Sequence, residues 1–114
     1  MIKTKEMKER EALNLIEISS RKMNVVKLNT HNTIAHELAK TAVAYYRIKL
    51  GHNIITEAKF KTGGICDVVD VSNGEIIEIL ASETKEEAEK KVKKYPEYFS
   101  VLFVTPEGVL GGTI

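Results

Sequence analysis

The sequence has little that would suggest a disulfide scaffold or a membrane protein. Its only cysteine, Cys66, excludes an internal disulfide and any zinc site built from several cysteines. Cys66 lies in an apolar run, where burial raises the pKa of a thiol, so we expect a structural thiol and not a nucleophile. No apolar run approaches the roughly 20 residues that a membrane span requires. The charged N-terminus lacks the apolar centre of a secretory signal, so we expect a cytoplasmic protein without membrane contact.

Length and charge set further bounds on the fold and on partners. A chain of 114 residues is long enough for one core of packed helices and sheet, so we expect a single α/β domain, at the border with α+β, over residues 1–114. The net charge of +1 arises from 17 basic and 16 acidic residues. This balance neither suggests nor excludes a nucleic-acid partner, and such binding would need a local basic patch.

Hydrophobic spacing and turn residues predict a definite order of elements. They indicate helices over 4–18, 34–50 and 85–95, and strands over 54–61, 65–71, 75–81 and 100–105. Residues 21–28 fit either a short strand or an extended connector. The second helix carries an apolar stripe that includes Ile34, Leu38 and Tyr45, and Gly51 ends it. The last strand is expected to be buried and parallel to the strand before the third helix. Residues 1–30 thus form a helix and connector, 31–105 the core, and 106–114 a tail that can add an edge strand.

The turn after the second strand predicts how two acidic residues are placed. Asn73-Gly74 is typical of a two-residue type I′ hairpin, in which both residues need positive φ. That turn would pair Asp67 with Leu80 and make Asp67 and Glu78 diagonal neighbours, roughly 7–8 Å apart at the backbone. Two acids this close repel each other unless a cation lies between them.

The preceding loop decides which side chains share a face with these acids. A three-residue loop over residues 62–64 would place Lys59 opposite Asp67, and put Glu57, Lys59, Asp67 and Glu78 on one face. A two-residue loop would instead direct Lys59 into the core. A simpler interpretation is that the acids are surface charges on a half-exposed sheet.

The order helix, three-strand meander, helix, strand, with an acid in the second and third strands, resembles the PD-(D/E)XK nuclease superfamily, which includes restriction endonucleases and archaeal Holliday-junction resolvases. The resemblance spans about residues 34–105 and is carried by the stretch HELAKTAVAYYRIKLGHNIITEAKFKTGGICDVVDVSNGEIIEILAS. It implies a restriction-endonuclease-like αβββαβ core, a mixed sheet flanked by helices, with an extra N-terminal helix. Asp67 and Glu78 would then hold Mg²⁺ or Mn²⁺ with help from Glu37, and a homodimer would hydrolyse DNA phosphodiester bonds.

One position departs from the motif of this superfamily. A lysine normally stands two residues after the second acid, whereas here Glu78-Ile79-Leu80 ends in leucine. Lys59 is the first candidate for a relocated catalytic lysine, and Lys85 is the second. Two alternatives remain: a nuclease fold that has lost catalysis and acts as a DNA-binding or assembly module, and an unrelated interaction domain.

The histidines do not indicate a zinc enzyme. His31 and His36 are five residues apart, which does not place both on one helical face as the spacing of four in HExxH does. We therefore expect no metal site of that type at His31, His36 and Glu37.

Overall fold

The computed structural model describes residues 2–111 as an α+β fold with one four-stranded mixed sheet flanked by helices. The strands lie in the order β1-β2-β3-β4. β2 is antiparallel to both β1 and β3, and β4 is parallel to β3. The elements are α1 (Lys5–Asn14), a 3₁₀ turn (Ile18–Ser20), α2 (Ile34–Lys49), β1 (Ile54–Lys59), β2 (Ile65–Asp70), β3 (Glu75–Ile79), α3 (Lys85–Val92), β4 (Ser100–Val104) and α4 (Pro106–Leu110).

The helices begin where threonine can cap them. The side-chain oxygens of Thr4, Thr33, Thr84 and Thr105 each accept a hydrogen bond from a backbone N–H in the first turn of α1, α2, α3 and α4. The predicted helices and strands are therefore confirmed with shorter ends. Residues 21–28 form the extended connector, which was one of the two predicted alternatives, and one prediction is corrected, because residues 106–110 of the predicted tail are helical. The remainder of that tail, 112–114, lies outside the described residues.

The sheet separates two clusters of buried side chains. The α3-side core contains Ala12, Ile16, Ile55, Ala58, Phe60, Cys66, Val69, Val71, Ile76, Tyr95 and Phe99. The α2-side core contains Ala39, Val43, Ala44, Ile54, Val68, Ile77 and Ile79. Cys66 is fully buried, and this burial raises the pKa of its thiol, which confirms its structural character.

The turn between β2 and β3 is longer than predicted. Asp70 pairs with Glu75, so the connection contains four residues, 71–74, and the predicted two-residue Asn73-Gly74 turn is wrong. The Asp70 carboxylate accepts the N–H of Asn73 at 2.9 Å, and its carbonyl accepts the N–H of Gly74 at 2.8 Å. This local capping by aspartate stabilises the wider turn. It moves the register by two residues and, continued along the strands, places Asp67 directly across from Glu78.

The connection between β1 and β2 is also two residues longer. Lys59 pairs with Ile65 and not with Asp67, because the loop runs from Phe60 to Gly64. The ring of Phe60 is buried in the α3-side core and packs against Tyr95 at 5.3 Å between centroids. Gly64 makes close approach possible, since a Cβ there would lie 2.7 Å from the Tyr95 ring. The packing of Phe60 thus overrides the predicted three-residue loop.

Strict alternation of side chains fails in the middle of β1. Glu57 has a φ of 51°, in the left-handed region, where a residue other than glycine is strained by about 1–2 kcal/mol. On the two sides of this position, Ile55 and Ala58 both enter the α3-side core, although alternation would separate them. The prediction that Glu57, Lys59, Asp67 and Glu78 share one face is therefore wrong.

The last strand is more exposed than predicted. The last strand, β4, is parallel to β3 as predicted, but it is an edge strand and its Leu102 is 41% exposed, so it is not the buried strand expected. Within residues 2–111 no helix is long and apolar enough to cross a membrane.

Candidate functional site

Asp67 and Glu78 are bound to each other's strand through their carboxylates. Oε2 of Glu78 accepts the backbone N–H of Asp67 at 2.7 Å, and Oδ2 of Asp67 accepts the N–H of Ile79 at 2.8 Å. Side-chain oxygens thus satisfy buried N–H groups of the neighbouring strands at this point. Only 6% of Asp67 and 1% of Glu78 is exposed. The prediction that the two acids lie close together is confirmed, with direct opposition in place of a diagonal.

The electrostatics of the pair favour a nearby cation. Burial raises the pKa of Glu78, and the negative charge of Asp67 raises it further. The N–H of Asp67, the ammonium of Lys91 and the hydroxyl of Tyr95 act in the opposite direction. These groups do not fully offset the effects of burial and of the Asp67 charge, so the pKa of Glu78 stays raised.

Lys91 supplies the positive charge nearest to Glu78 in the described structure. It projects from α3 and places Nζ 3.4 Å from Oε1 of Glu78. Burial disfavours the charged ammonium, yet the charges of Glu78 and Asp67 raise the pKa of Lys91 above its ordinary value. Its side chain is 44% exposed, so the ammonium bridges buried acid and solvent.

Tyr95 fixes the orientation of Glu78 from the other side. Its hydroxyl lies 2.7 Å from Oε1 of Glu78 and 2.9 Å from the carbonyl oxygen of Ile65, and it can donate its proton to either. Burial and the charge of Glu78 raise the pKa of Tyr95, so the hydroxyl stays protonated and acts as a donor.

A chain of polar groups on α2 reaches Asp67. Nε2 of His36 lies 3.4 Å from Oδ2 of Asp67, while Nδ1 lies 2.7 Å from Oε2 of Glu37. Behind them, Nζ of the fully buried Lys40 donates to Oε1 of Glu37 at 2.6 Å. The hydrogen bond to Asp67 raises the pKa of His36, although burial opposes it.

Glu37, the predicted third metal ligand, is already surrounded by donors. The backbone N–H of Asn29, Nδ2 of Asn32 and the ammonium of Lys40 bond to its carboxylate in addition to His36. Burial alone would raise the pKa of Glu37, but these hydrogen bonds lower it to about 2. Glu37 therefore reaches Asp67 only indirectly, because its carboxylate bonds to His36 and His36 contacts Asp67.

An open cavity of about 450 Å³ gives access to this cluster. Asp67, His36, Lys91 and Glu57 are among its walls, and most other lining residues are polar. We call this cavity the Asp67 cleft. Within residues 2–111, every buried side-chain oxygen has a hydrogen-bond partner, whereas Oδ1 of Asp67 has none. Oδ1 is therefore accessible, and it is the oxygen that Asp67 can offer to a ligand in the cleft.

The described residues offer few donors to a metal ion. Among the described residues, no group of three or more His, Cys, Asp or Glu side chains is arranged to hold a metal. Mg²⁺ needs fewer protein ligands, because it keeps several waters and binds through one or two carboxylates. Of the two predicted ligands, Asp67 has an oxygen accessible from the cleft, whereas both oxygens of Glu78 already have partners in Asp67, Tyr95 and Lys91.

The predicted catalytic lysines lie elsewhere. Nζ of Lys59 is 3.9 Å from Oε2 of Glu17, its side chain is 49% exposed, and it does not line the Asp67 cleft. Lys85 is exposed at the start of α3. Leu80, at the lysine position of the motif, is partly buried, and its N–H donates to the carbonyl of Val104 at 2.7 Å.

The sequence analysis did not assign Lys91 or Tyr95 to the site, and it considered His36 only as a ligand in a zinc motif. Lys91 follows the buried Ala88 by three positions, which places it at the border of the buried face of α3, and this spacing could have indicated it. His36 precedes Glu37, but only the fold brings it to Asp67. Tyr95 was assigned to the end of the helix with no signal for its contact with Glu78.

No protein-family model matches the chain, and no curated protein or solved structure matches it.

Proposed function

We propose that this protein is a Mg²⁺- or Mn²⁺-dependent DNA endonuclease with the restriction-endonuclease-like αβββαβ core of the PD-(D/E)XK superfamily. The observation that carries the proposal is that Asp67 and the Lys91 ammonium line one open cleft, and that the buried carboxylate of Glu78 contacts both. The element order from α2 to β4 supports it. DNA as the substrate, and action as a homodimer, follow from the resemblance.

Lys91 replaces Lys59 as the best candidate for the relocated lysine. Its ammonium lies beside Glu78 and lines the cleft, and the negative charges of both acids raise its pKa. A cation that stabilises a phosphate needs this position and this charge. Leu80 cannot donate a hydrogen bond or carry charge. The proposal therefore assigns the cationic role to helix α3 instead of strand β3.

The surrounding residues have supporting roles. A bound Mg²⁺ or Mn²⁺ would supply charge stabilisation of the phosphoryl transition state and a more acidic water. Asp67 and Glu78 would hold the ion. Tyr95 keeps Glu78 oriented, and Glu37 positions His36 against Asp67. Lys91 is available to orient a scissile phosphate in the cleft.

A nuclease assay tests the proposal. The protein is incubated with linear and branched DNA and with Mg²⁺ or Mn²⁺, and cleavage is followed on gels. We expect metal-dependent cleavage that Asp67→Asn abolishes and that Lys91→Met lowers by about 10²–10³-fold. Lys59→Met and Lys90→Met are matched controls, because they remove exposed lysines outside the cleft. Absence of cleavage under all conditions, or equal effects of Lys91→Met and Lys59→Met, would contradict this assignment.

A second candidate function is a nuclease-fold module without catalysis that binds DNA or assembles with protein. The specific observation in its favour is that Lys91 and His36 already pair with the two acids, while Leu80 replaces the motif lysine. It predicts salt-dependent retention of DNA by the wild type and by Asp67→Asn, with no cleavage by either.

A further inference from the structure

Strand β1 brings a further acidic residue, Glu57, to the Asp67 cleft. The two neighbours of Glu57 in β1 pair with the two neighbours of Asp67 in β2, so Glu57 lies across from Asp67. Both residues line the cleft, whereas the buried Glu78 does not. The resemblance to the nuclease superfamily assigns no role to a residue of β1. Two adjacent strands therefore each present a carboxylate to the same cavity, and the second of these carboxylates has no assigned function.

The left-handed backbone of Glu57 turns its side chain toward the cleft. Regular alternation from Ile55 would direct position 57 into the α3-side core, where a carboxylate would lose its hydration. With φ at 51°, Ala58 enters that core instead, and Glu57 stays partly exposed. Glycine and asparagine adopt such a conformation more readily than glutamate, and strained residues of this kind cluster at functional sites. The side chain of Glu57 thus explains this position better than its backbone does.

Glu57 and Asp67 each keep one carboxylate oxygen without a hydrogen-bond partner among residues 2–111. Nδ2 of Asn29 donates to Oε1 of Glu57 at 3.1 Å and leaves Oε2 unbonded. Oδ1 of Asp67 is also unbonded, although only 6% of this residue is exposed. A buried acid with an oxygen that no donor satisfies, directed into an open cavity, is an arrangement that a cation completes.

We propose that Glu57 is a ligand of the divalent cation that Asp67 binds, so that the ion lies on the cleft side of β1 and β2. The inference rests on the proposed function, because it concerns the same Mg²⁺ or Mn²⁺. Two carboxylates at the cleft are sufficient, since Mg²⁺ keeps several waters and takes further oxygens from substrate phosphates. Glu78 supports the site from behind Asp67, where its carboxylate adds negative charge and accepts the N–H of Asp67.

Asn29 orients Glu57 for this role. Its side-chain amide donates to Glu57, and its backbone N–H donates to Oε1 of Glu37 at 2.6 Å. Glu37 in turn bonds to His36, which contacts Asp67. The connector before α2 therefore links the two proposed ligands through one chain of polar contacts. Such contacts outside the ligands fix their orientation and raise the affinity of a site for its metal.

Calorimetric titration with Mn²⁺ tests the inference without DNA. Glu57→Gln removes the charge, keeps the oxygen that accepts from Asn29, and should weaken Mn²⁺ binding by about tenfold or more. Glu83→Gln is the matched control, because Glu83 also lines the cleft and is also partly exposed, but belongs to the loop before α3. At about 0.15 M salt this control should weaken binding by roughly threefold or less, since a charge that does not touch the ion is screened.

Pulsed EPR of bound Mn²⁺ in ¹⁷O-labelled water gives a readout that a purely electrostatic role would not change. The number of waters on the ion should rise in Glu57→Gln, because water takes the place of the lost carboxylate oxygen, and should stay constant in Glu83→Gln. Urea unfolding of both variants checks that they are folded as the wild type is.

The outcomes separate this inference from the proposed function. If Asp67→Asn abolishes Mn²⁺ binding but Glu57→Gln does not weaken it, or if Glu57→Gln and Glu83→Gln weaken it equally, the role of Glu57 is overturned and the metal site at Asp67 stands. If Glu57→Gln weakens binding as expected but the wild type cleaves no DNA, the role of Glu57 stands and the endonuclease proposal fails. A folded wild type that binds no Mn²⁺ overturns both.

Discussion

The carboxylate of Glu78 accepts the backbone N–H of Asp67 at 2.7 Å, so the two acids are joined through the backbone while their charges repel. This contact holds Glu78 in place where water is excluded. Asp67, in contrast, keeps one oxygen accessible to the cleft. The site therefore combines a fixed buried acid with an acid that can bind a ligand.

Asp67→Asn should lower the pKa of Glu78. The substitution removes the negative charge that raises this pKa, while the amide oxygen can still accept the N–H of Ile79. Carboxyl ¹³C NMR of labelled glutamate during a pH titration measures the change. An unchanged pKa of Glu78 would show that burial alone raises it. Glu97→Gln, at an exposed position after α3, is the control.

Tyr95→Phe should destabilise the fold by about 1–3 kcal/mol. The substitution keeps the ring that packs against Phe60 but removes the donor to the buried Glu78 carboxylate. Urea unfolding measures the loss. Tyr46→Phe is the matched control, since Tyr46 is 46% exposed and should change the free energy of unfolding little. Equal stability of the two variants would contradict a structural hydrogen bond at Glu78.

The sequence could predict most of the element order but not the positions of side chains around the acids. Periodicity and threonine caps locate the helices because these signals are local. The register depends on Asp70 capping the second loop and on Phe60 packing in the core, and neither interaction is visible in turn propensities. The left-handed Glu57 then breaks the alternation on which assignment of faces depends.

The pairing of the acids could be predicted because a register error of two residues leaves each side chain on the same face of its strand. Asp67 and Glu78 stay neighbours whether the connecting turn has two residues or four. Their partners could not be predicted, since Lys91 and His36 come from different helices on which other polar residues look equivalent. For α2, the apolar pattern does not distinguish the buried face, which carries Ala39 and Val43, from the exposed Ile34, Leu38 and Tyr45.

Glu37 should contribute to stability in acid. Its pKa is about 2 in the folded protein and 4.5 ordinarily, so its contribution is complete above about pH 4.5 and is lost as the pH falls toward 2. The unfolding free energy of the wild type should therefore fall more steeply over this range than that of Glu37→Gln. His36 does not affect the comparison, because its ordinary pKa of 6.5 already lies above this range and its pKa in the folded protein is raised further, so it is protonated in both states. Parallel pH profiles would contradict the low pKa of Glu37.

Lys40→Met should destabilise the protein by about 1–3 kcal/mol because it leaves the carboxylate of Glu37 without its closest cationic donor. Lys40 is fully buried, so methionine can occupy the same space. Lys49→Met, on the exposed end of the same helix, is the control. Thermal or urea unfolding of both variants checks the prediction. A stabilised Lys40→Met variant would show that the desolvation of the buried ammonium destabilises the fold more than its hydrogen bond to Glu37 stabilises it.

Metal titration by calorimetry tests the central claim most directly, because it depends on the two acids and not on the choice of DNA substrate. The protein is titrated with Mn²⁺ alone. Our account predicts binding by the wild type and by Lys59→Met, and loss of that binding in Asp67→Asn. No binding by a folded wild type, or binding that Asp67→Asn leaves unchanged, would contradict a metal site at Asp67 and Glu78.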